Sequence, residues 1–401
     1  RARIGAKGGL KLKVCAVIAE YNPLHLGHVG HLDYIKNELK AERVVVIMSG
    51  DFTQRGEPAV LDKYTRARHA IIAGADAVIE LPAVFSTANA ENFAKGAVNI
   101  LSALNFADGL CFGVESGSAE DYERLAEAMN DESKEFKRAL KESLEKGVSL
   151  AKAKFEAVKA LGGKFDEKLI ASPNNILALE YAKANLSSGG KLKLYPMIRT
   201  GDCDHNDVML KKGITSATSI RAALKAGEKK KLKKCVPPFV YEDLTEYPFA
   251  FDKMIMTALY TAKKEDMAEI ADCTEGLENR IKALAKDNKT VEELVRKAST
   301  KRYPATRIRR ILINNLLGIK AELTAETLKS GLYAKVLAVN ADKTDIIRII
   351  SEKAEISVLT RKSDEADLKR AALRSLEKDV LAADLYSLAT GASPSGRMLL
   401  V

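Results

Sequence analysis

The chain has 401 residues, of which 46% are hydrophobic and 29% charged, a composition typical of a soluble globular protein of two or three domains. No apolar run approaches the roughly 20 residues of a membrane-spanning helix, which argues against an integral membrane protein. The net charge of +10 fits either a solvated basic surface or a polyanionic partner such as nucleic acid.

Cysteine usage predicts the compartment. The five cysteines are scattered and include no Cys-x-x-Cys pair: Cys15, Cys111, Cys203, Cys235 and Cys273. Such a set predicts a reducing, cytoplasmic environment without structural disulfides or a zinc ribbon. Residues 1–11 begin with basic residues but lack an apolar core after them, so they are expected to be a leader or a disordered arm.

Short apolar runs alternate with helical periodicity between residues 12 and 240. The predicted strands are Lys13–Ala19, Arg43–Ser49, Ala77–Leu81, Gly109–Phe112 and Lys191–Met197. Helices are predicted at Asp62–Ala73, Glu91–Leu104 and Asp121–Met129. Because the strands are apolar throughout, we expect an α/β fold with a five-stranded parallel sheet covered on both faces. Ligands of such sheets bind beyond the carboxyl ends of the strands.

Composition divides the remainder of the chain. Residues 132–187 are predicted to be a helical insertion, in which Ser172 and Pro173 are the residue types expected at a helix start. The Pro-Pro pair in Cys235–Phe239, after the basic run Lys229–Lys234, favours a linker. Residues 241–330 are predicted to form a basic helical domain. Residues 331–401 are predicted to form a small α/β subdomain with one βαβ unit, Tyr333–Val339, Thr344–Lys353 and Ile356–Leu359.

Three of the five histidines lie close together in His25-Leu-Gly27-His28-Val-Gly-His31, between the first predicted strand and a helix. A helix start offers free backbone N–H groups and the positive end of the helix dipole, which suit a phosphate. Histidines three apart could instead bind zinc, but the glutamate of His-Glu-x-x-His is absent. The remaining alternative is that the histidines only cap the helix or pack in the interior. The position favours phosphate contact by His25 and His28, and leaves the role of His31 open.

A second segment, Ser216-Ala-Thr218-Ser219-Ile-Arg221, places hydroxyl groups just before a helix. Such residues ordinarily act as N-caps. Together with the arginine that follows them, they could equally hold phosphate groups.

A third segment follows the second strand. It is the turn-rich loop Met48–Pro58, which is expected to lie at the same edge of the sheet as the histidines. An ordinary surface loop is the alternative, but its Gln54 and Arg55 could hold a small anion.

The first two segments resemble the two signatures of the HxGH nucleotidyltransferase superfamily, whose members transfer an adenylyl group from ATP. Further blocks make the chain similar to the bacterial tRNA(Met) cytidine acetate ligases, over most of its length. These blocks are Glu20-Tyr21-Asn22-Pro23-x-His25-x-Gly27-His28, Met48-Ser-Gly-x-Phe-x-Gln54-Arg55-Gly56-Glu57-Pro58, Cys111-Phe112-Gly113, Pro173-Asn174-Asn175-Ile-Leu and Ser216-Ala-Thr-Ser-Ile-Arg221. Leu24 and Leu26 depart from the family pattern, which has an aromatic and a polar residue there.

The resemblance implies a Rossmann-like nucleotidyltransferase domain over residues 12–240 that uses ATP, carried with Mg²⁺, to activate acetate as acetyl-adenylate. The acetyl group would pass to N4 of the wobble cytidine of elongator tRNA(Met). His25, His28 and Arg221 are the expected catalytic residues, and no residue is expected to be a metal ligand. Gln54 and Arg55 are expected to form the acetate or phosphate loop. The expected ATP-binding residues are Ile18, Ala19, Glu20, Tyr21, Asn22, Pro23, His25, Gly27, His28, His31, Gly113, Asn174, Arg199, Ser216, Thr218 and Ser219.

The segment from Arg296 to Arg310 holds seven basic residues and no acidic one. A solvated helix face normally mixes the signs of charge, so this segment favours contact with RNA. Tyr303 could stack on a base. The expected tRNA-binding residues are Lys301, Arg302, Tyr303, Arg307, Arg309 and Arg310.

Two alternatives remain from the sequence. A small-molecule adenylyltransferase of the nucleotide or coenzyme type would explain the two signatures but not the basic helical region. A non-catalytic RNA-binding factor with a retained nucleotide site would explain the basic region, although the intact His25, Gly27, His28 and Arg221 argue against it. Neither a membrane nor an obligate protein partner is expected.

Overall fold

The computed structural model describes most of the chain, and the predicted leader at residues 1–11 and Cys203 lie outside the described part. The described residues are 13–130, 133–148, 150–199, 216–245, 251–392 and 396–401. Within them, no helix is both long and apolar enough to cross a membrane.

The centre of the molecule is one twisted sheet. Its strands are β1 (Val14–Ala19), β2 (Arg43–Ser49), β3 (Ala77–Leu81), β4 (Gly109–Val114), β5 (Lys193–Ile198), β6 (Tyr333–Val339), β7 (Ser357–Leu359) and β8 (Leu399–Leu400). Their order is β5-β4-β1-β2-β3-β6-β7, with β8 beside β6. Strands β1 to β5 pair in parallel, as predicted.

The predicted number of five strands was wrong, because the described chain contributes eight to this sheet. The C-terminal strand β6 pairs antiparallel with β3, in the register Ala77↔Val339. The predicted βαβ unit forms, with β6 and β7 parallel. This unit extends the main sheet instead of forming a separate subdomain, because the free edge of β3 pairs with β6. Sequence patterns do not reveal such pairings between distant residues.

Helices cover both faces of the sheet. Those up to the fifth strand are α1 (Leu26–Asn37), α2 (Lys63–Ile72), α3 (Ala83–Ser86), α4 (Ala90–Leu104), α5 (Ala119–Met129), α6 (Lys134–Glu145), α7 (Leu150–Ala160) and α8 (Pro173–Ser187). Those after it are α9 (Ala217–Lys225), α10 (Pro238–Asp243), α11 (Phe251–Thr261), α12 (Lys264–Ala268), α13 (Leu277–Ala285), α14 (Val291–Ala298), α15 (Ala305–Leu317), α16 (Ala321–Ser330), α17 (Asp345–Lys353) and α18 (Arg370–Thr390). Short 3₁₀ helices span Glu167–Ile170, Lys229–Lys234, Ala341–Lys343 and Lys362–Asp367.

Alternate residues of strands β1 to β5 serve two different cores. In β2, Val44 and Val46 pack with Leu32 and Ile35 of α1 in one core. Val45 and Ile47 face the other core, which includes residues of α4, α8 and α11 to α16. This double burial explains why the strands are continuously apolar.

The predicted linker at Cys235–Phe239 was wrong. Pro238 begins helix α10 at its first position, where the missing N–H of proline costs nothing. Val236 is buried, and Leu26 N at the start of α1 donates a hydrogen bond to the carbonyl of Cys235 at 3.3 Å. The segment therefore packs against the histidine turn instead of joining two separate bodies.

Candidate active site

The histidine turn lies at the point where the strand order reverses, because β1 sits between β2 and β4. Doubly wound sheets open a ligand crevice at that point. The turn leaves β1 at Ala19, and α1 begins at Leu26 with His25 as its N-cap. At the opening of this crevice, Ile18, Ala19 and Glu20 are half-buried, whereas Asn22 is buried. The Asn22 side-chain carbonyl accepts a hydrogen bond from Val60 N at 2.8 Å and ties the turn to the loop after β2.

The two central imidazoles have defined tautomers. His25 Nδ1 accepts a hydrogen bond from Gly27 N at 3.1 Å, and His28 Nδ1 accepts one from His25 N at 3.3 Å. The rings stack, with centroids 3.7 Å apart and planes 20° apart. Because each Nδ1 is an acceptor, the proton of each neutral ring lies on Nε2. Both rings therefore carry an Nε2–H donor for a ligand.

These histidines are neutral. Burial, with a smaller contribution from the cations Arg199 and Arg221, lowers the pKa of His25 to about 3. Burial and the neighbouring His25 hold the pKa of His28 well below its ordinary value. They can donate hydrogen bonds at pH 7 but bring no charge, so the cationic character of the site comes from arginine.

His31 differs from the other two. Its Nε2 lies 3.2 Å from Cys111 Sγ on β4, so this nitrogen is already engaged by the protein. Burial and then Arg199 lower its pKa to about 4. Tyr21 contacts the neighbouring His28 edge-on, at 4.9 Å between ring centroids. Together these contacts fix the histidine rings from behind.

The second predicted segment meets the first through Arg221 of α9. The buried Arg221 donates from Nη1 to the carbonyl of Asn22 at 2.9 Å, and its Nη2 lies 3.4 Å from Thr218 Oγ1. Its Nε lies 3.5 Å from Glu57 Oε2. The sequence predicted that these two segments would lie together, and they do.

The serines of this segment have ordinary structural partners. Ser216 is the N-cap of α9, and its Oγ accepts from Ser219 N at 3.2 Å. Ser219 Oγ donates back to the carbonyl of Ser216 at 2.9 Å. Both serines are buried, and Thr218 is half-buried. Of the hydroxyls, Thr218 is thus the better placed to face a ligand, and the serines act as caps.

The ends of β4 and β5 bring together three more predicted residues. Arg199 follows β5, and a side chain at Gly113 would place its Cβ 3.2 Å from Arg199 Cγ. Asn174 Nδ2 donates to Glu115 Oε1 at 2.7 Å, and the same oxygen lies 3.9 Å from Arg199 Nε. Glu115 was not among the predicted site residues. Its position two residues after Gly113, at the carboxyl end of a strand, was the signal that could have found it.

The loop after β2 borders the same crevice. Gln54 N donates to Glu20 Oε1 at 2.8 Å, which anchors the loop to the end of β1. Arg55 is half-buried and makes no hydrogen bond or ion pair with the part of the chain that the structure describes. Sequence reasoning missed Arg66 of α2, which is fully buried and donates to the carbonyls of Glu20 and Ser49 at 2.7 and 3.0 Å. The local pattern of α2 did not mark it, because Lys63 and His69 on the same helix are polar and buried as well.

Acidic side chains from elsewhere in the chain pair with several arginines of the basic segment Arg296–Arg310. Arg302 and Arg307 both pair with Glu275, and they flank the Tyr303 ring at 5.8 and 5.4 Å. Arg310 is buried and paired with Asp272 at 2.7 Å. Its burial does not fit the predicted direct contact with RNA.

Arg309 pairs with Glu292 at 2.6 Å and is 16% exposed, whereas Lys301 is exposed. The acids come from segments that precede the basic run, so a sequence window could not show them. No group of three or more potential metal ligands occurs among the described residues.

The chain is similar to known proteins over most of its length. A family model described as HIGH Nucleotidyl Transferase matches residues 12–398. A Thermoanaerobacter sp. protein named tRNA(Met) cytidine acetate ligase is 35% identical over 94% of this chain and 95% of its own length. A protein of the same name from Caldanaerobacter subterraneus is 36% identical over 94% of this chain and 96% of its own length.

The chain belongs to the tRNA(Met) cytidine acetate ligase family of HIGH nucleotidyl transferases.

Solved structures of the family confirm the fold. The crystal structure of Thermotoga maritima TmcAL bound with alpha-thio ATP superposes with a TM-score of 0.88 at 26% identity, over 97% of this chain and 100% of that one. The apo form of TmcAL gives a TM-score of 0.90 at the same identity. The resemblance inferred from the short sequence blocks is therefore confirmed.

Proposed function

We propose that the protein activates acetate with ATP and acetylates N4 of the wobble cytidine of elongator tRNA(Met). Its relatives are named tRNA(Met) cytidine acetate ligase, and the related TmcAL was crystallised with an ATP analogue. The observation that carries the proposal is the convergence of two Nε2–H donors, from His25 and His28, with the Arg221 guanidinium at the switch point of the sheet.

The first half-reaction needs no general base. A carboxylate oxygen of acetate attacks the α-phosphorus of ATP, and the bond to the bridging oxygen of the β-phosphate breaks. Acetyl-adenylate forms and pyrophosphate leaves. Because acetate is already ionised at neutral pH, catalysis consists of positioning and of stabilising the charge on the departing phosphates.

The donors have separate contributions in this step. His25 and His28 donate hydrogen bonds from Nε2 to phosphate oxygens without adding charge, since both are neutral. Arg221 supplies positive charge and Arg199 adds to the field around them. ATP would carry Mg²⁺ on its phosphates.

In the second half-reaction the N4 amino group of cytidine attacks the acetyl carbonyl. The bond from that carbon to the AMP phosphate oxygen breaks, AMP leaves, and the amino group loses a proton to solvent. Gln54 and Arg55, at the rim and anchored through Glu20, are the residues that we propose for holding acetate. The burial of the thiols of Cys15 and Cys111 fits transfer without a covalent acyl-enzyme.

The tRNA would bind through exposed cations. Lys301 and Arg302 are exposed, and so are Lys230, Lys233 and Lys234 of the 3₁₀ helix that follows α9. Lysine and arginine that neutralise phosphates supply most non-specific RNA affinity. Because the described Cys15, Cys111, Cys235 and Cys273 are free thiols, we expect the reaction to occur in the reducing cytoplasm.

The test is transfer of radiolabelled acetate. With ATP and tRNA(Met), label should appear in acid-precipitable RNA as N4-acetylcytidine, with one AMP and one pyrophosphate released per acetyl group. A tRNA with uridine at the wobble position is the control and should stay unlabelled. Label that is absent from the RNA, or that appears equally in the control, would contradict the proposal. Adenylyl transfer to a nucleotide or phosphopantetheine instead would indicate the small-molecule adenylyltransferase.

A further inference from the structure

The carboxylate of Glu57 lies between two arginines from distant parts of the chain. Oε2 lies 3.5 Å from Nε of Arg221, and Oε1 lies 3.9 Å from Nε of Arg309. Glu57 itself is 16% exposed and Arg221 6% exposed. The Glu57 main-chain carbonyl accepts from both the N–H and the hydroxyl of Thr53, at 3.0 and 3.1 Å, so the loop is closed on itself behind the carboxylate.

Helix α15 packs directly against the loop after β2 that contains Glu57. Gly56 has a φ of +71°, and a Cβ there would lie 2.4 Å from Arg310 N and 2.5 Å from Arg309 C. Only glycine permits so close an approach of two backbones. Arg310 Nη1 also lies 3.5 Å from the Gln54 carbonyl. Arg309 is held at its other end by Glu292, at 2.6 Å.

These contacts restrain the guanidinium of Arg221 at two of its three nitrogens. Nη1 is fixed by the Asn22 carbonyl and Nε faces Glu57. The remaining nitrogen, Nη2, donates a longer hydrogen bond to the half-buried Thr218 hydroxyl, at 3.4 Å. A guanidinium is planar, so fixing two nitrogens fixes the direction of the third.

We propose that Glu57 is a positioning residue for Arg221 and that Arg309 braces Glu57. Arg309 therefore serves acetyl-adenylate formation, although it lies in the basic segment that the sequence assigned to RNA. This inference rests on the proposed function, because it assigns Arg221 to the departing pyrophosphate.

The position of Glu57 beside Arg221 also affects anion binding. A carboxylate beside Arg221 opposes the binding of pyrophosphate, since like charges repel. If Glu57 merely offset the charge of Arg221, its neutralisation would improve both binding and rate. If it positions Arg221, neutralisation slows the chemical step although pyrophosphate binds at least as tightly.

The experiment is ATP–pyrophosphate exchange with acetate and without tRNA, which removes any effect of RNA contact. Glu57→Gln should lower kcat by about tenfold, which corresponds to a loss of about 1.4 kcal/mol of transition-state stabilisation. The Kd for inorganic pyrophosphate, measured by calorimetry, should stay the same or fall. Arg309→Gln, which acts only through Glu57, should lower kcat by about threefold to tenfold.

Arg374→Gln is the matched control. Arg374 pairs with Glu326 at 2.6 Å, the distance of the Arg309–Glu292 pair, and belongs to α18. Its exchange rate should equal that of the wild type. Thermal melting of every variant separates loss of fold from loss of positioning.

A double-mutant cycle provides the sharper test. If Arg309 acts through Glu57, Arg309→Gln should change kcat by less than about twofold in the Glu57→Gln background. Fully additive losses would overturn the proposal. So would Arg309→Gln with wild-type exchange and only a raised KM for tRNA, or Glu57→Gln with an unchanged kcat.

The same experiment distinguishes failure of the proposed function from failure of the positioning role of Glu57. Wild-type exchange that ignores acetate would overturn the acetate ligase while the variant comparison still reports on Arg221. A wild type that exchanges no pyrophosphate at all would overturn both.

Discussion

At the scale of single residues, the decisive feature is the direction in which two neutral imidazoles point their protons. His25 and His28 each accept a backbone N–H at Nδ1. The free N–H groups expected at this helix start are not available, because the N–H groups of Leu26, Gly27 and His28 already bond within the protein. The helix start instead orders the two rings, and their Nε2–H groups are the donors left for a ligand. Sequence spacing identified both residues, but only the contacts define their tautomers.

Replacing His28 with Ala should nearly abolish acetate-dependent exchange. Loss of one donor to a charge that develops in the transition state typically costs about 10²–10³ in kcat. Asn at the same position should retain part of the rate, since its amide can donate. Affinity for tRNA, measured by filter binding, should not change. A loss of only a few-fold in His28→Ala would mean that this imidazole does not contact the reacting phosphates.

The histidines also predict how stability depends on pH. The pKa of His31 is about 4 in the folded protein, lowered by burial and then by Arg199. Its ordinary value is about 6.5. The unfolded chain therefore binds the proton first as the pH falls, so this contribution is complete above pH 6.5 and is lost between about pH 6.5 and 4.

His31→Gln should make that dependence shallower. Urea unfolding of the nucleotide-free protein between pH 7 and 4 should show a free energy of unfolding that falls less steeply in the variant, by up to about one proton. Parallel curves for the variant and the wild type would show that His31 is not held neutral by the fold.

At the scale of elements, the contact between α15 and the loop after β2 determines the shape of the site. Gly56→Ala adds a methyl group against the backbone of α15 and strains a positive φ. Backbone strain of this kind costs on the order of 1–3 kcal/mol, and the clash adds to it. Exchange should fall as well, because Glu57 is the next residue.

Gly227→Ala is its control. Gly227 has a φ of +72° but nothing lies within 4 Å of a Cβ there. The control should show the strain alone in chemical denaturation and keep wild-type exchange. Equal losses of stability in the two variants would contradict the close packing of α15 on the loop.

Local patterns predicted the elements well and their partners poorly. The prediction of β2 has the observed bounds, and Tyr333–Val339 does too, because apolar runs and turn residues are local signals. Pairing of β6 with β3 joins residues far apart in the chain, and no local pattern encodes it. The same reason applies to the buried Arg310, whose partner Asp272 precedes it by 38 residues.

At the scale of the whole molecule, one buried ionic network joins the site to the C-terminal part of the sheet. Lys63 Nζ lies 2.6 Å from Glu80 Oε1 on β3 and 3.6 Å from Asp51 Oδ2 in the site loop. Asp379 of α18 accepts from Ala83 N at 2.7 Å and bonds Tyr333 of β6. The crevice rim and the C-terminal strands are thus parts of one folded unit.

Lys63→Met should destabilise this unit by about 3–5 kcal/mol, the usual cost of leaving buried charge without its partner. The control is Lys95→Met, because the Lys95–Glu91 pair has a similar separation of 2.7 Å but lies at the surface. The control should cost less than about 1 kcal/mol. A similar, small loss in both variants, measured by denaturant unfolding, would show that the buried network is not structurally important.

ATP–pyrophosphate exchange by the purified protein, with acetate as the only acceptor, tests acetate activation most directly. Radiolabel from pyrophosphate should enter ATP only when acetate is present and without any need for tRNA, and nucleotide monophosphates or phosphopantetheine should not replace acetate. Exchange that is indifferent to acetate would contradict acetate activation.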